Sequence, residues 1–117
     1  MKVRKISPLI GAEVTGVDLS RPVDSKAENA LKETIAENIT MVIRDQNLTP
    51  ENLQAIAQMF GEVMTQDHPK YSFPSLPNIK RHSNRNLDTA GNPVMEGTVW
   101  HTDGAHLPRP PKYTMLH

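Results

Sequence analysis

The sequence predicts an α+β fold with two helices and several short strands, and three observations support this. Two stretches repeat apolar residues at helical spacing, short alternating or β-branched stretches lie beside them, and the prolines and histidines concentrate in the second half of the chain. Residues 1–67 contain three prolines and no histidine, whereas residues 68–117 contain seven prolines and all five histidines. The first half is therefore typical of a regular scaffold, and the second of loops and short strands that carry polar side chains.

The first elements are predicted to be a strand, a helix and a second strand. Residues 2–6 alternate charged and apolar side chains, as a half-buried strand does. A helix is predicted over 26–38, because Ser25 and Glu28 have the spacing of a capping box and one face of the segment is apolar. Residues 39–43 are short and β-branched, which predicts a buried strand.

The second helix has the clearest boundaries. Thr49 is a good N-cap, and Pro50 occupies the first helical position, where its missing amide hydrogen costs nothing. The apolar residues from Leu53 to Phe60 repeat at helical spacing, and Gly61 is a typical stop.

The remainder of the chain is predicted to be less regular. Residues 66–93 are expected to be mainly loop, and residues 95–101 and 113–116 to be strands. The chain ends at His117 inside an apolar, strand-like run, whereas the termini of natural domains are mostly exposed. We therefore expect this chain to be part of a larger domain.

Composition and charge exclude several classes of function. Lys plus Arg equal Asp plus Glu at 13 each, so the formal net charge is zero. The chain therefore lacks the excess of basic residues that is typical of proteins that bind nucleic acid or anionic lipid surfaces. The absence of cysteine excludes disulfides, thiolate metal sites and a thiol nucleophile. No apolar run is long enough for a signal peptide or a membrane span, so a cytoplasmic location is expected.

The chemistry-bearing residues centre on the segment from Trp100 to Gly104. Residues two apart on a strand project to the same face, so His101 and Asp103 could hold one metal ion. They would form two-thirds of a 2-His-1-carboxylate triad, which leaves positions open for a cosubstrate and oxygen. Spacing alone leaves a polar surface strand as the more ordinary explanation, and a zinc hydrolase site of His101, Asp103 and His106 is a further alternative.

The wider context resembles the taurine dioxygenase/TfdA family of Fe(II)- and 2-oxoglutarate-dependent dioxygenases. Residues 100–117 are similar to the family's iron-binding segment, in which Trp-His-x-Asp precedes a short loop, a Pro-Pro pair and a strand. Residues 10–22, 41–46, 48–53 and 60–62 match further family segments in order and spacing, so the resemblance covers nearly the whole chain.

The resemblance implies a fold and a domain organisation. The family core is a double-stranded β-helix, or jelly roll, and residues 1–117 would form the N-terminal portion of such a domain with its C-terminal remainder absent. The core of the isolated chain would then be incomplete. The third iron ligand and the arginine that binds 2-oxoglutarate are expected beyond residue 117, so the isolated chain is expected to be inactive or nearly so.

The resemblance also implies residue roles and a reaction class. His101 and Asp103 would bind iron(II) (Fe²⁺), with 2-oxoglutarate as cosubstrate of an oxidoreductase. His68 and Tyr71 match a segment beside the substrate's anionic head group. A solvated loop histidine is an equally ordinary explanation for His68, and a ring packed under a proline-rich loop is the more ordinary one for Tyr71. The family's taurine enzymes have an amide side chain where this chain has Gly97. This difference argues against taurine itself and leaves sulfonates, sulfate esters and aryloxy or other carboxylates open as substrates.

Two further expectations concern residues outside the predicted ligands. Arg44 and Asp45 are expected to form a structural clamp, and Trp100 to pack beneath the metal-bearing strand. A homo-oligomer remains open, and no nucleic-acid or membrane partner is expected. The alternative function is that of a non-catalytic remnant or interaction module that keeps the scaffold without the reaction.

Overall fold

The structure, a computed structural model, describes residues 1–65, 71–83, 85, 87–94 and 99–117. The chain divides into two compact units, Met1–Glu62 and Val63–His117. The described helices and strands are, in chain order, β1 (Lys2–Lys5), β2 (Ala12–Thr15), α1 (Ser25–Asn38), β3 (Met41–Ile43), α2 (Pro50–Phe60), β4 (Ser72–Phe73) and β5 (Leu76–Lys80). The predicted combination of two helices with several short strands is therefore confirmed for this part of the chain.

The first unit contains a three-stranded sheet in the order β1-β2-β3. Strands β1 and β2 are antiparallel, with Val3 opposite Val14, and β2 and β3 are parallel, with Val14 opposite Ile43. Helix α1 connects the two parallel strands, as such a pair requires a crossover. This β-α-β arrangement makes β2 the central strand.

The core of the first unit is centred on β2 and α1, with contributions from α2 and the loop after β2. Ala12, Val14 and Leu31 are fully buried, and Leu19 and Ile56 are nearly so. The predicted burial of the other two strands is wrong, because β1 is exposed along its length and β3 is only half-buried. Both are edge strands of a narrow sheet, so one side of each has no neighbouring strand within the described sheet.

The two helices begin at different kinds of cap. Helix α1 starts one residue earlier than predicted, because Asp24 is its N-cap and its Oδ1 accepts a hydrogen bond of 2.7 Å from the amide of Ala27. The predicted box between Ser25 and Glu28 is therefore wrong, since an aspartate one residue upstream satisfies the free amide. Thr49 is confirmed as the N-cap of α2. The third residue of this helix forms a capping box with Thr49.

A strained turn separates α1 from β3. Ile39 has φ 67° and ψ −45°, and the amide of Thr40 donates a 2.7 Å hydrogen bond to the carbonyl of Asn38. This is the geometry of a classic γ-turn, which is rare and unfavourable for a β-branched residue. The strand predicted over 39–43 consequently begins only at Met41.

The segment after β3 is held by partners other than those predicted. In the part of the chain that the structure describes, Arg44 pairs with Glu13 instead of Asp45, with 2.9 Å between Nε and Oε1. Arg4 binds the other carboxylate oxygen of Glu13 at 2.7 Å. Hydrogen bonds from both arginines, helped by their charge, lower the pKa of the Glu13 carboxyl. The structural clamp predicted for this segment is formed by Gln46 instead. Its side-chain oxygen accepts a hydrogen bond from the backbone amide of Leu19, and its side-chain nitrogen donates one to a backbone carbonyl nearby.

The second unit contains a hairpin where the sequence predicted loop. Strands β4 and β5 pair antiparallel through a two-residue turn, and Leu76 and Ile79 are buried. Prolines 74 and 77 obscured this hairpin, since proline usually argues against a strand. Residues 113–116 are not a strand, so that prediction is wrong, and residues 95–98 of the other predicted strand lie outside the described residues. Across the described residues, no helix combines the length and apolar character of a membrane span.

Candidate metal centre

The candidate site lies in a segment of bends and turns in the second unit. Residues 99–107 contain no regular strand, and the amide of Leu107 donates a 2.9 Å hydrogen bond to the carbonyl of Gly104, which closes a tight turn. Gly104 has φ 61°, a left-handed conformation that glycine adopts readily. The strand predicted to present His101 and Asp103 is therefore replaced by the entry to this turn.

The structure nevertheless brings the imidazole of His101 and the carboxylate of Asp103 together. Nε2 of His101 and Oδ1 of Asp103 are 3.1 Å apart. The two side chains are 49% and 47% exposed, so the pair is open to solvent and to an incoming ion. The predicted side-by-side arrangement is thus present, although a turn and not a strand produces it.

The second ring nitrogen of His101 is fixed by the backbone. Nδ1 lies 2.7 Å from the carbonyl oxygen of Val99, and because a carbonyl only accepts, Nδ1 must carry a hydrogen and donate. The Val99 carbonyl is the main cause that raises the pKa of His101, and the negative charge of Asp103 raises it further, against an opposing effect of desolvation. The protein thereby sets the tautomer and the orientation of the ring.

The second carboxylate oxygen of Asp103 also has its own partner. The hydroxyl of Thr114, eleven residues further along the chain, donates a 2.7 Å hydrogen bond to Oδ2. Each oxygen of Asp103 is therefore assigned, Oδ1 to the imidazole and Oδ2 to the threonine. Hydrogen bonds to a carboxylate of this kind are charge-assisted and stronger than those between neutral groups.

Close packing brings the Thr114 segment against the turn. A Cβ added to Gly104 would lie 2.6 Å from Cδ of Pro111 and 3.2 Å from Cδ1 of Leu107. A proline ring is attached to the backbone at both ends and cannot swing away. Only a glycine at position 104 allows this approach with the observed backbone.

Of the two residues predicted to bind substrate, one can be placed. His68 lies outside the described residues. Tyr71 is half-buried beside the hairpin, with the Lys80 ammonium 5.7 Å from the centre of its ring and its carbonyl accepting a 2.8 Å hydrogen bond from Arg81. These contacts anchor Tyr71 to β5, and its contact with substrate stays a prediction.

One other expectation is wrong, and one alternative finds no support. Trp100 is fully exposed, so it does not pack beneath the site. The zinc alternative with His106 as a third ligand is not formed, because no group of three or more His, Cys, Asp or Glu side chains within the described ranges is arranged to hold a metal ion. The described pair of His101 and Asp103 would need a further ligand from elsewhere.

Sequence reasoning missed two groups that shape the site. The Val99 carbonyl carries no side-chain signal, and backbone acceptors are invisible to motif analysis. Thr114 had a weak signal, since it stands three residues after the Pro-Pro pair in a segment expected to run near the ligands. Nothing in the spacing indicated that its hydroxyl would reach Asp103.

Solved structures resemble the chain in fold. A candidate α-ketoglutarate-dependent 2,4-D dioxygenase from Burkholderia xenovorans matches with a TM-score of 0.65 at 21% identity, covering 93% of this chain and 34% of that one. A taurine dioxygenase from the same organism matches with a TM-score of 0.59 at 28% identity, covering 65% of this chain and 27% of that one. The described fold is thus similar to that of part of these solved structures.

The sequence comparisons identify the family. Residues 2–117 match the model of the taurine catabolism dioxygenase TauD, TfdA family, and the chain belongs to that family. A relative from Saccharomyces cerevisiae, an alpha-ketoglutarate-dependent sulfonate dioxygenase, is 27% identical over 99% of this chain. The chain spans 29% of the length of that relative.

Proposed function

We propose that this chain is the N-terminal portion of an Fe(II)- and 2-oxoglutarate-dependent dioxygenase, an oxidoreductase that hydroxylates a small anionic organic molecule. His101 and Asp103 are two of its three iron ligands in this proposal. The domain around them is a double-stranded β-helix, of which residues 1–117 supply the beginning. Membership of the TauD, TfdA family supports the reaction class and both cofactors.

The observation that carries the proposal is an electrostatic mismatch between the two side chains. Because Nδ1 of His101 donates to Val99, a neutral ring has its lone pair on Nε2, 3.1 Å from the carboxylate oxygen of Asp103. A lone pair facing an anion at that distance is repulsive. A positive centre between the two atoms removes the repulsion, and either the second proton of an imidazolium or a metal ion supplies it.

The spacing of the two atoms also fits adjacent positions on one metal. Ligand atoms about 2.1 Å from a metal and about 90° apart are separated by about 3.0 Å. The observed separation of 3.1 Å is close to this value. A histidine whose other nitrogen donates to a backbone carbonyl is, moreover, the usual arrangement of a metal-binding imidazole.

The donor set fits iron in this family. One imidazole and one carboxylate are two members of the 2-His-1-carboxylate triad, which is diagnostic of non-haem iron(II) oxygenases. With 2-oxoglutarate, a bound iron would supply the oxidative chemistry, in which one oxygen atom of O2 goes to a C–H bond of the substrate and the other to the cosubstrate, which leaves as succinate and carbon dioxide. The residues of this chain hold the ion, and Val99 and Thr114 orient the two ligands.

The substrate class is proposed from a relative and from two residues. The yeast relative is described as a sulfonate dioxygenase, and His68 and Tyr71 are proposed to donate hydrogen bonds to an anionic head group. A phenol and an imidazole both donate well to sulfonate or carboxylate oxygens. Because Gly97 replaces the amide of taurine enzymes, other sulfonates, sulfate esters and aryloxy or other carboxylates are proposed beside taurine.

The test uses the protein expressed from its complete reading frame. Anaerobic loading with iron(II), followed by 2-oxoglutarate, oxygen and a panel of sulfonates, sulfate esters and aryloxyacetates, should give substrate-dependent succinate. His101→Ala and Asp103→Ala should each abolish it and weaken iron binding, whereas the matched control His106→Ala should keep both. A protein that forms no succinate with any of these compounds, and that binds iron equally well without His101, would instead be a non-catalytic module.

A further inference from the structure

Thr114 differs from the two proposed ligands in its position along the chain and in its chemistry. It lies in the segment that follows the Pro-Pro pair, eleven residues from Asp103, yet its hydroxyl donates a 2.7 Å hydrogen bond to Oδ2 of that residue. The contact joins two separate segments of the second unit. The close approach of Gly104 to Pro111 holds these same segments together independently of the hydrogen bond.

The hydrogen bond decides which oxygen of Asp103 faces the imidazole. A free carboxylate on an exposed loop turns about its last torsion angle, which is broad and roughly twofold. With Oδ2 bound to Thr114, Oδ1 points to Nε2 of His101 at 3.1 Å. The carboxylate is thereby oriented with one oxygen beside the imidazole, where a shared metal ion would bind.

The same bond limits the number of oxygens that Asp103 can offer to a metal. A carboxylate can bind a metal ion through one oxygen or through both. When a hydroxyl engages Oδ2, only Oδ1 is free to bind, so the aspartate occupies one coordination position. An iron centre that must accept a chelating cosubstrate and oxygen needs three open positions, and a second aspartate oxygen would take one of them.

We infer that Thr114 is a positioning residue that holds Asp103 in one-oxygen coordination and keeps a coordination position of the proposed iron site open. The inference rests on the proposed function, since it assumes that Asp103 is a metal ligand. Thr114 acts through Asp103 and does not itself contact the metal. The Val99 carbonyl does the corresponding work on His101, so each ligand has one partner that orients it.

The test separates the hydroxyl of Thr114 from its shape. Thr114→Val keeps the branched side chain and removes the donor, whereas Thr114→Ser keeps the donor and removes a methyl group. In the protein from its complete reading frame, Thr114→Val should weaken Co(II) and Mn(II) binding by about 10- to 100-fold, the usual effect of losing a partner that orients a ligand. Thr114→Ser should retain the wild-type affinity.

Two further measurements distinguish positioning from folding. The visible spectrum of bound Co(II) should change in Thr114→Val, because its absorption depends on coordination number, while the metal-free protein should still fold and unfold cooperatively, as wild type does. The matched control Thr102→Val removes the exposed hydroxyl between the two proposed ligands and should leave both the affinity and the spectrum as in the wild type.

The outcomes separate a failure of the inference from a failure of the proposed function. If Co(II) binding depends on His101 and Asp103 but Thr114→Val binds as tightly and with the same spectrum as wild type, the inference is overturned and the metal site stands. If Thr114→Ser loses affinity as much as Thr114→Val, shape and not the hydroxyl matters, which also overturns it. If His101→Ala leaves Co(II) binding unchanged, the proposed function fails and the inference with it.

Discussion

Replacing Gly104 with alanine should disturb the candidate metal centre from the backbone side. The residue has φ 61°, and an added Cβ would lie 2.6 Å from Cδ of Pro111. Two separate penalties follow, one from the left-handed backbone and one from the overlap. Neither involves the side chain of a proposed ligand, so the substitution tests the architecture of the site and leaves its donors intact.

The sizes of the two penalties can be worked out separately. A left-handed conformation costs a residue with a Cβ about 1–2 kcal/mol. Carbon atoms normally approach to about 3.5–4.0 Å, so relieving a contact of 2.6 Å requires a shift of about 1 Å. A shift of that size would lengthen the 2.7 Å bond from Thr114 to Asp103 beyond the range of an O–H···O hydrogen bond.

Gly91 provides the matched control for Gly104→Ala. It has φ 85°, and nothing lies within 4 Å of a Cβ added there, so Gly91→Ala incurs the backbone penalty alone. Urea unfolding of both variants should show a larger loss of stability for Gly104→Ala than for Gly91→Ala. Co(II) titration should show affinity reduced about tenfold or more for Gly104→Ala, as for loss of a partner that orients a ligand, and unchanged for Gly91→Ala.

One result would refute this reasoning. If Gly104→Ala and Gly91→Ala lost equal stability and both kept the wild-type affinity for Co(II), the approach of Pro111 to the turn would not hold Asp103 in place. The hydrogen bond from Thr114 would then have to form without that packing. The proposed link between the turn and the carboxylate would be wrong.

Two further predictions concern the first unit. Ile39→Gly should raise the free energy of unfolding by about 1 kcal/mol, because relief of a strained backbone gives about 1–3 kcal/mol and the extra chain entropy of glycine takes back about 0.5–1 kcal/mol; a loss of stability in urea unfolding would contradict it. The lowered pKa of Glu13 means that its bonds to Arg4 and Arg44 stabilise the fold fully above the ordinary value of 4.5 and are lost as pH falls through the lower folded value. Urea unfolding between about pH 6 and 3 should therefore show a smaller loss of stability in Glu13→Gln than in wild type, and equal losses would count against the ion pairs.

Features set by neighbouring residues could be predicted from the sequence, and helix α2 is the clearest case. Its start at Thr49 and Pro50 and its end at Gly61 depend only on residues within one helical turn, and the structure agrees. The start of α1 was misplaced by one residue because two capping residues stand side by side, Asp24 and Ser25, and local sequence does not decide between them.

Features set by distant residues could not be predicted. The exposure of β1 and β3 depends on their places at the edges of the sheet, which no pattern within either strand encodes. The spacing of His101 and Asp103 correctly predicted that their side chains lie together. The reason was wrong, because a turn replaces the expected strand. The hydroxyl of Thr114 reaches this pair only because the chain folds back after the Pro-Pro pair.

The order of the candidate site must come from its charges as much as from packing. Its two proposed ligands are about half exposed, and solvent weakens the hydrogen bonds and charge interactions of exposed groups. The bonds from Val99 and Thr114 can therefore orient His101 and Asp103 but cannot make them rigid. A doubly charged ion bound by Nε2 and Oδ1 would interact with the carboxylate more strongly than a proton on the ring does. Metal binding should therefore order this segment of the chain.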